Sequence, residues 1–361
     1  MVKVMKGDET FREHNKAKVQ FSNEIFIYTE VLPQFTQLLL SSGSPIRGDA
    51  WYPKVLYGAA GKFPDYSDQF ETMLVMENVA LNGFKAGPRH DLDEDHLMLM
   101  ANIIAQFHAC TYAMKIMDHK NLDQLLIGIT PLNFAADGKE LHSNAVLVKL
   151  GLNRVLKFID KHPEELDSES FKKDMIKLRD KYAKSPVDLM QKFLQRDQYS
   201  VFLLGDYNRN NVLFKYEEGH PADLRMFDFQ LTRYASPAID LSLFMCMNIS
   251  SNLRARLWSQ ILRHYHNNLI KTLTDILICN PDDEKLKPYT FEKFIKHFQK
   301  FALYGGMVAT HFLPWMLCSE EECAQLAYHF AKDLDSAEMK HWATVCGGEV
   351  MAGDWWKFSG T

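Results

Sequence analysis

The stretch LLGDYNRNNVLF, residues 203–214, and its continuation MFDFQLTRYASPAIDL, residues 226–241, decide how this chain is read. Asp206 and Asn211 flank a tight loop between two apolar runs, and Asp228 stands at the end of the next strand-like run. Three oxygen-bearing side chains on loops at strand ends suit a hard cation such as Mg2+, which keeps water and substrate phosphates as its other ligands. Phosphoryl transfer asks little covalent chemistry of a protein; it needs phosphates held in line, charge neutralised and a hydroxyl oriented. D-x-x-x-x-N with a later D-F-x supplies that set, with Asp206 to take the substrate proton and Asn211 and Asp228 to hold the metal. Asp and Asn are also ordinary turn residues, so the strand–loop–strand context and the later DFQ matter more than the spacing alone.

Working outward, Val201–Leu204 reads as a strand, and Val212–Tyr216 with Leu224–Phe227 as a hairpin joined by a Glu-Gly-His-Pro turn region. From Ser236 onward the pattern is mostly helical. Residues 144–197 are also helical in pattern, rich in Lys and Glu, with breaks at Pro163 and Pro186 and faces most simply read as solvated. Toward the N-terminus, VKV reads as the tail of a strand. Phe21, Ile25, Tyr28 and Leu32 then fall on one helical face that Pro33 is expected to end, with Glu24 at its border. Val55–Tyr57 and Met73–Met76 read as two strands with a polar loop between them, and Glu77, Asn78 and Val79 as a connector. A helix is expected from near Asp91, with Asp93, Glu94 and Asp95 in its first turn, where negative charge suits the helix dipole. A small strand-plus-helix region therefore precedes a large helical one, an α+β, two-lobe plan hinged near residues 77–79.

The chain has 361 residues, 47% hydrophobic and 24% charged, with 41 Lys+Arg against 46 Asp+Glu. That is enough apolar material for a sizeable core. With a net charge of −5 and no dense basic patch, nucleic acid is not expected as a partner. The six cysteines at 110, 246, 279, 318, 323 and 346 form no CxxC pair and read as free thiols of a reducing compartment. The start, MVKVMKGDETF, has no apolar signal region. The most membrane-like stretch, 301–318, is interrupted by Gly305, Gly306, Thr310, His311 and Pro314 and is expected to be a buried helix rather than a span. A cytoplasmic protein with no membrane partner is the expectation.

The residues around Gly205–Asn211, Phe227–Gln230 and Ser236–Leu241, with Asn23–Glu24, the run Tyr28–Pro33 and Ala105–Ala109, resemble the insect ecdysteroid-kinase-like (CHK kinase-like) family. These are relatives of choline and aminoglycoside kinases with a protein-kinase-like fold. The resemblance spans most of the chain from Lys3 to beyond residue 300. It implies a small N-lobe over residues 1–78 and a large, mainly helical C-lobe over 79–361 that carries the catalytic loop and acceptor cleft. It also implies ATP and Mg2+ as cofactors and a hydroxyl of a small molecule, such as an ecdysteroid-like steroid, as acceptor. By position, Lys3 matches the lysine that pairs with the nucleotide phosphates and Glu24 the helix glutamate that holds it. Glu77, Asn78 and Val79 match the hinge whose backbone bonds adenine. Asp206 matches the catalytic base, Asn211 and Asp228 the metal ligands, and Asp240 a buried carboxylate that braces the catalytic loop.

Two departures stand out. Leu204 occupies the place of the family's His before Gly-Asp, and a looser loop is expected from it. The family also carries two strands and a phosphate-covering loop ahead of the lysine; here Lys3 is the third residue and no GxGxxG occurs. The expectation is either a longer gene or a protein without its nucleotide lid. A catalytically impaired pseudokinase that binds ligand, and a choline- or aminoglycoside-type kinase, are the alternatives. Elsewhere, His108 reads as a hydrogen-bonded core histidine. The run His90–His96 is explained by helix N-terminal charge before metal, and His264 and His266 do not share a helical face. Trp258, Phe312, Trp315 and Trp342 are candidates for an acceptor pocket or for plain core.

Overall fold

The computed structural model describes residues 1–63, 65, 67–89, 92–133, 151, 155–157, 160–161, 169–182 and 186–317. The α+β architecture expected from the sequence is found, small antiparallel sheets with a mainly helical remainder. β1 (Val2–Val4), β2 (Val55–Phe63) and β3 (Ser67–Met76) form a three-stranded antiparallel sheet in the order β1-β3-β2. Lys3 lies opposite Leu74, so the N-terminal strand is pinned to the far edge of the hairpin. Both hairpin strands run well into the expected polar loop, leaving only residues 64–66 between them. Gly58–Lys62 have poor intrinsic strand propensity, but each pairs in register with Phe70–Leu74. Cross-strand pairing overrides local preference.

α1 (Glu9–His14) is capped by Asp8, whose side chain accepts from the Phe11 N–H. α2 (Ala17–Phe26) lies against the sheet and passes through a π segment (Ile27–Val31) into α3 (Leu32–Ser41). Pro33 therefore does not end the helix. The Leu32 N–H reaches back to the Ile27 carbonyl, and the proline falls in the first turn of α3, where its missing N–H is tolerated. The buried positions Phe21, Ile25, Tyr28, Leu32 and Phe35 continue one apolar face through the junction.

Past residues 77–79 the structure is mainly helical. α4 (Glu94–Met117) is the central helix, with Asp93 as its N-cap rather than in its first turn; Asp93 accepts from the His96 N–H. Among the described residues α4 is the one helix long and apolar enough to cross a membrane, and most of it is buried inside the protein. α5 (His119–Ile127) follows, then α6 (Glu169–Tyr182) and α7 (Pro186–Phe193). Pro186 opens a helix, as its fixed φ permits; Pro163 and much of 144–168 lie outside the described residues.

β4 (Val201–Leu203) pairs antiparallel with β7 (Arg233–Ala235), and β5 (Val212–Glu217) pairs with β6 (His220–Met226). The hairpin turn is tighter than expected. Glu218 and Gly219 have φ of 51° and 88°, the primed two-residue turn that matches strand twist. α8 (Ala238–Asn248), α9 (Ser251–Leu277), α10 (Phe291–Phe301) and α11 (Leu303–Leu317) complete the described chain, with α9 packed along α4 and α11 on α8. Gly305 allows that last contact, because a Cβ there would meet the Ser242 carbonyl.

Candidate active site

The site forms where the sheet with α2 faces β4–β7. The centre of its upper half is Lys3, whose Nζ lies 2.7 Å from Glu24 Oε2 and 2.7 Å from Asp228 Oδ1. Three residues separated by up to 225 positions thus meet at one ammonium. Burial alone would lower the Lys3 pKa, but Glu24 and Asp228 outweigh it and hold it above its ordinary value. Glu24 answers in the opposite sense. Burial pushes its carboxyl up to about 7, with Lys3 pulling it down and the charge of Asp228 pushing it further up. The two shifts are compatible because two carboxylates share one ammonium. Glu24 is the deeper of them, its side chain 1% exposed against 24% for Asp228, so it bears the cost of desolvation. Its Oε1 is buried with no hydrogen-bond partner.

Asp228 itself adopts φ 65°, ψ 60°, a left-handed conformation uncommon for a non-glycine residue. Such strain persists where surroundings over-determine it and clusters at functional sites. Here the surroundings are Lys3 on the carboxylate, the Phe227 N–H donated to the Asn211 carbonyl at 3.0 Å, and Phe229 buried edge-on against Tyr28.

The lower half is the loop 204–211. Asn211 Nδ2 donates to the Asp206 carbonyl at 2.8 Å and to Asp206 Oδ2 at 2.9 Å. Its amide N–H groups are thereby directed at Asp206, which leaves Oδ1 as the oxygen available to a cation. Asn208 Nδ2 donates to Asp206 Oδ1 at 2.7 Å, a positioning contact that the spacing of Asp206 and Asn211 did not reveal. The signal was present in the Asn-rich run DYNRNN, since Asx residues bond locally in tight loops. Burial raises the Asp206 pKa; Asn211 and Asn208 oppose this, and Asp228 and Asp240 add to it. An upward shift is the direction that proton abstraction by a carboxylate would favour.

Asp240 braces this loop from below. Its Oδ2 accepts from the Leu204 N–H at 2.8 Å and its Oδ1 from the Gly205 N–H at 3.0 Å, with all three residues fully buried or nearly so. The brace acts through backbone N–H groups, so it needs no histidine side chain at position 204. Leu204 is instead buried in the core. Gly205 has φ 88°, and a Cβ there would lie 2.0 Å from the Leu231 carbonyl oxygen, so the loop and the turn after Asp228 touch at a position open only to glycine. His108 is the core histidine expected, with Nδ1 2.9 Å from Tyr265 Oη and Nε2 3.4 Å from Asp240 Oδ2.

At the connector, Glu77 is spent on structure: its N–H donates to the Lys54 carbonyl and its carboxylate accepts from the Lys54 N–H and from Asn82. The Asn78 side chain caps the short turn Val79–Asn82, and Val79 is buried. The three residues follow directly on β3, which ends at Met76.

The remaining candidates fall elsewhere. His96 is engaged by Asp93 and Tyr216, and His266 by the Tyr289 carbonyl. Trp258 packs edge-on against Phe298, and Phe312 is exposed. The Trp315 side chain, Trp342, His90, Asp91, Cys318, Cys323 and Cys346 lie outside the described residues. Among those described, no cluster of three or more His, Cys, Asp or Glu side chains could hold a metal unaided. A cation held by Asn211 Oδ1 and Asp228 would therefore take its other ligands from phosphate and water, a set that fits magnesium.

The family model described as the ecdysteroid kinase-like family matches residues 1–278. No curated protein matches the sequence. Among solved structures, an ethanolamine kinase from Plasmodium vivax is similar at 14% identity and a TM-score of 0.38, over 90% of this chain and 71% of that one.

Proposed function

This chain belongs to the ecdysteroid kinase-like family, and on that premise we propose that it is an ATP- and Mg2+-dependent phosphotransferase acting on a hydroxyl of a small molecule. The observation that carries the proposal is the single ammonium of Lys3 held 2.7 Å from both Glu24 and Asp228. An ammonium fixed by a buried carboxylate is a ready phosphate ligand, and its second carboxylate partner is the candidate metal ligand. Bound magnesium would neutralise charge on the transferring phosphoryl group. Asn211 Oδ1 and Asp228 are the residues to hold it, Asp206 would accept the acceptor's hydroxyl proton, and the backbone of Asn78 and Val79 would be offered to the adenine, since the Glu77 N–H is already given to Lys54. The family description supports a steroid alcohol of the ecdysteroid kind as the acceptor. Buried free thiols at Cys110 and Cys246 support residence in a reducing, cytoplasmic compartment.

Thermal unfolding with ATP, with and without magnesium, tests the site. Ligand at a hundred times its dissociation constant adds about 2.7 kcal/mol of stability. The wild-type protein should show a magnesium-dependent rise in Tm that Asp228→Ala lacks, and Asp206→Ala should keep the rise while losing transfer to a steroid alcohol. A rise in the wild type with no transfer to any alcohol would point to a ligand-binding pseudokinase. Transfer to choline or an aminoglycoside instead would replace the steroid as acceptor. No rise at all would overturn the nucleotide site.

A further inference from the structure

The helix that carries Glu24 rests on one side against β2, β3 and the turn Phe229–Leu231, and it runs through the π segment at Ile27 into α3. That packing must hold Glu24 within 2.7 Å of Lys3. What fixes the helix on its other side is a short irregular segment, residues 128–132, between the end of α5 and residue 133.

That segment is tied at three points. Asn23, adjacent to Glu24 and 2% exposed, donates from Nδ2 to the Thr130 carbonyl at 2.7 Å and accepts from the Thr130 N–H at 3.0 Å. One side-chain amide thus satisfies both backbone groups of a residue 107 positions away, much as a strand partner would. Phe26, three residues on and so on the same face as Asn23, lies over Gly128 so closely that a Cβ there would fall 2.1 Å from its ring. Two positions beyond Thr130, the Leu132 carbonyl accepts from Arg233 Nη2 at 2.7 Å. Arg233 is 8% exposed and opens the strand that follows the Asp228 turn. Burial lowers its pKa, with Tyr304 and Asp240 opposing, so the guanidinium is held in the interior where its bond to Leu132 matters most.

We propose that residues 128–132 form a strap that sets the position of α2, so that Asn23 and Arg233 are positioning residues for the Lys3–Glu24 pair. The proposal rests on the nucleotide-site reading above but can fail separately from it. A rotation or slide of α2 that parts Asn23 from Thr130 carries the neighbouring Glu24 carboxylate away from Lys3. Releasing Leu132 at the far end of the strap, by substituting an arginine 209 positions from Glu24 in sequence, is expected to loosen the same helix.

Amide hydrogen exchange on the nucleotide-free protein, joined to magnesium–ATP titration, tests this. Asn23→Ala and Arg233→Met should each speed exchange across residues 20–28 by roughly five- to tenfold, the scale of one or two net hydrogen bonds. Arg233→Lys should restore protection, because a single N–H donor serves the Leu132 carbonyl. Asn23→Ala should also weaken magnesium–ATP binding, and that loss should vanish in a Glu24→Gln background, where the residue it acts through no longer pairs as a carboxylate. Faster exchange confined to residues 128–133, or spread evenly over the protein, would overturn the strap. So would an equal loss of affinity in the Glu24→Gln background. If Arg233→Met fails to fold, the Arg233→Lys and Asn23→Ala proteins carry the same comparison. If the wild type binds no nucleotide, the function falls while the exchange measurement still decides the strap.

Discussion

The two halves of the site are held together by different physics. Around Lys3, charges far apart in sequence meet, with Lys3 and Asp228 partly open to solvent and Glu24 buried, and their geometry depends on protonation and on any cation that binds Asp228. Around Asp206, a fully buried carboxylate, Asp240, grips backbone N–H groups, and neighbouring amides orient the Asp206 side chain. The upper half is held by charges that protonation can alter, the lower half by bonds to buried backbone. Charge-assisted bonds to buried backbone are strong and costly to leave unmade, whereas partly exposed ion pairs trade readily with water and salt.

The sharpest way to break this contrast is to remove the brace. Asp240→Ala leaves the buried Leu204 and Gly205 N–H groups without an acceptor and should cost about 2–5 kcal/mol of unfolding free energy, read by chemical denaturation. A loss under about 1 kcal/mol would mean the loop is held by something else. Gly205→Ala comes next. The new Cβ would sit 2.0 Å from the Leu231 carbonyl in a left-handed conformation, so a loss of about 2 kcal/mol or more is expected from strain and clash together.

In the upper half the expected effect is in pH dependence rather than in size. Folded Glu24 holds its proton up to about 7, while the unfolded chain releases it in the ordinary carboxylate range. Between those limits the native state binds more protons than the unfolded one, so stability falls as pH rises through the window and levels off above it. Glu24→Gln should flatten that part of the profile. Denaturation midpoints that run parallel in the two proteins from pH 5 to 8 would show that Glu24 ionises normally.

Lys115 offers a comparison away from the site. Its Nζ donates to the Gln198 carbonyl and faces the Tyr112 and Tyr234 rings, and burial pulls its pKa down to about 8, with Asp197 opposing. Above about 8 the unfolded chain binds the proton more tightly than the native one, so stability should rise toward the ordinary lysine range. Lys115→Met should remove that rise. The smallest effect is expected at the exposed Arg47–Asp49 pair, where substitution of either residue should leave the denaturation midpoint unchanged, because solvent screens both charges.

The half of the candidate site around Asp206 was legible in the sequence because its parts are local. Asp206, Asn211 and Asp228 lie within one strand–loop–hairpin unit, and their spacing follows from strand and turn geometry. The strand of Lys3, the helix of Glu24 and the core role of His108 were legible from apolar periodicity together with family resemblance. Local preference misled where tertiary contact overrode it. Pro33 reads as a stop but is absorbed by a π segment, and the glycine- and alanine-rich run 58–62 reads as loop but is held as strand by its partner. Nothing in the spacing of residues announced that Asn23 would hold Thr130, that Arg233 would hold Leu132, or that Asp240 would brace position 204 through backbone and so make the missing histidine dispensable to that contact. The sequence by itself determined which residues are candidates for the chemistry, since charge, hydrogen-bonding capacity and short-range geometry belong to the residues. Which of them meet, how deeply each is buried and therefore where Glu24 and Asp206 titrate were decided only by the tertiary structure, because desolvation and long-range pairing are properties of the packed chain.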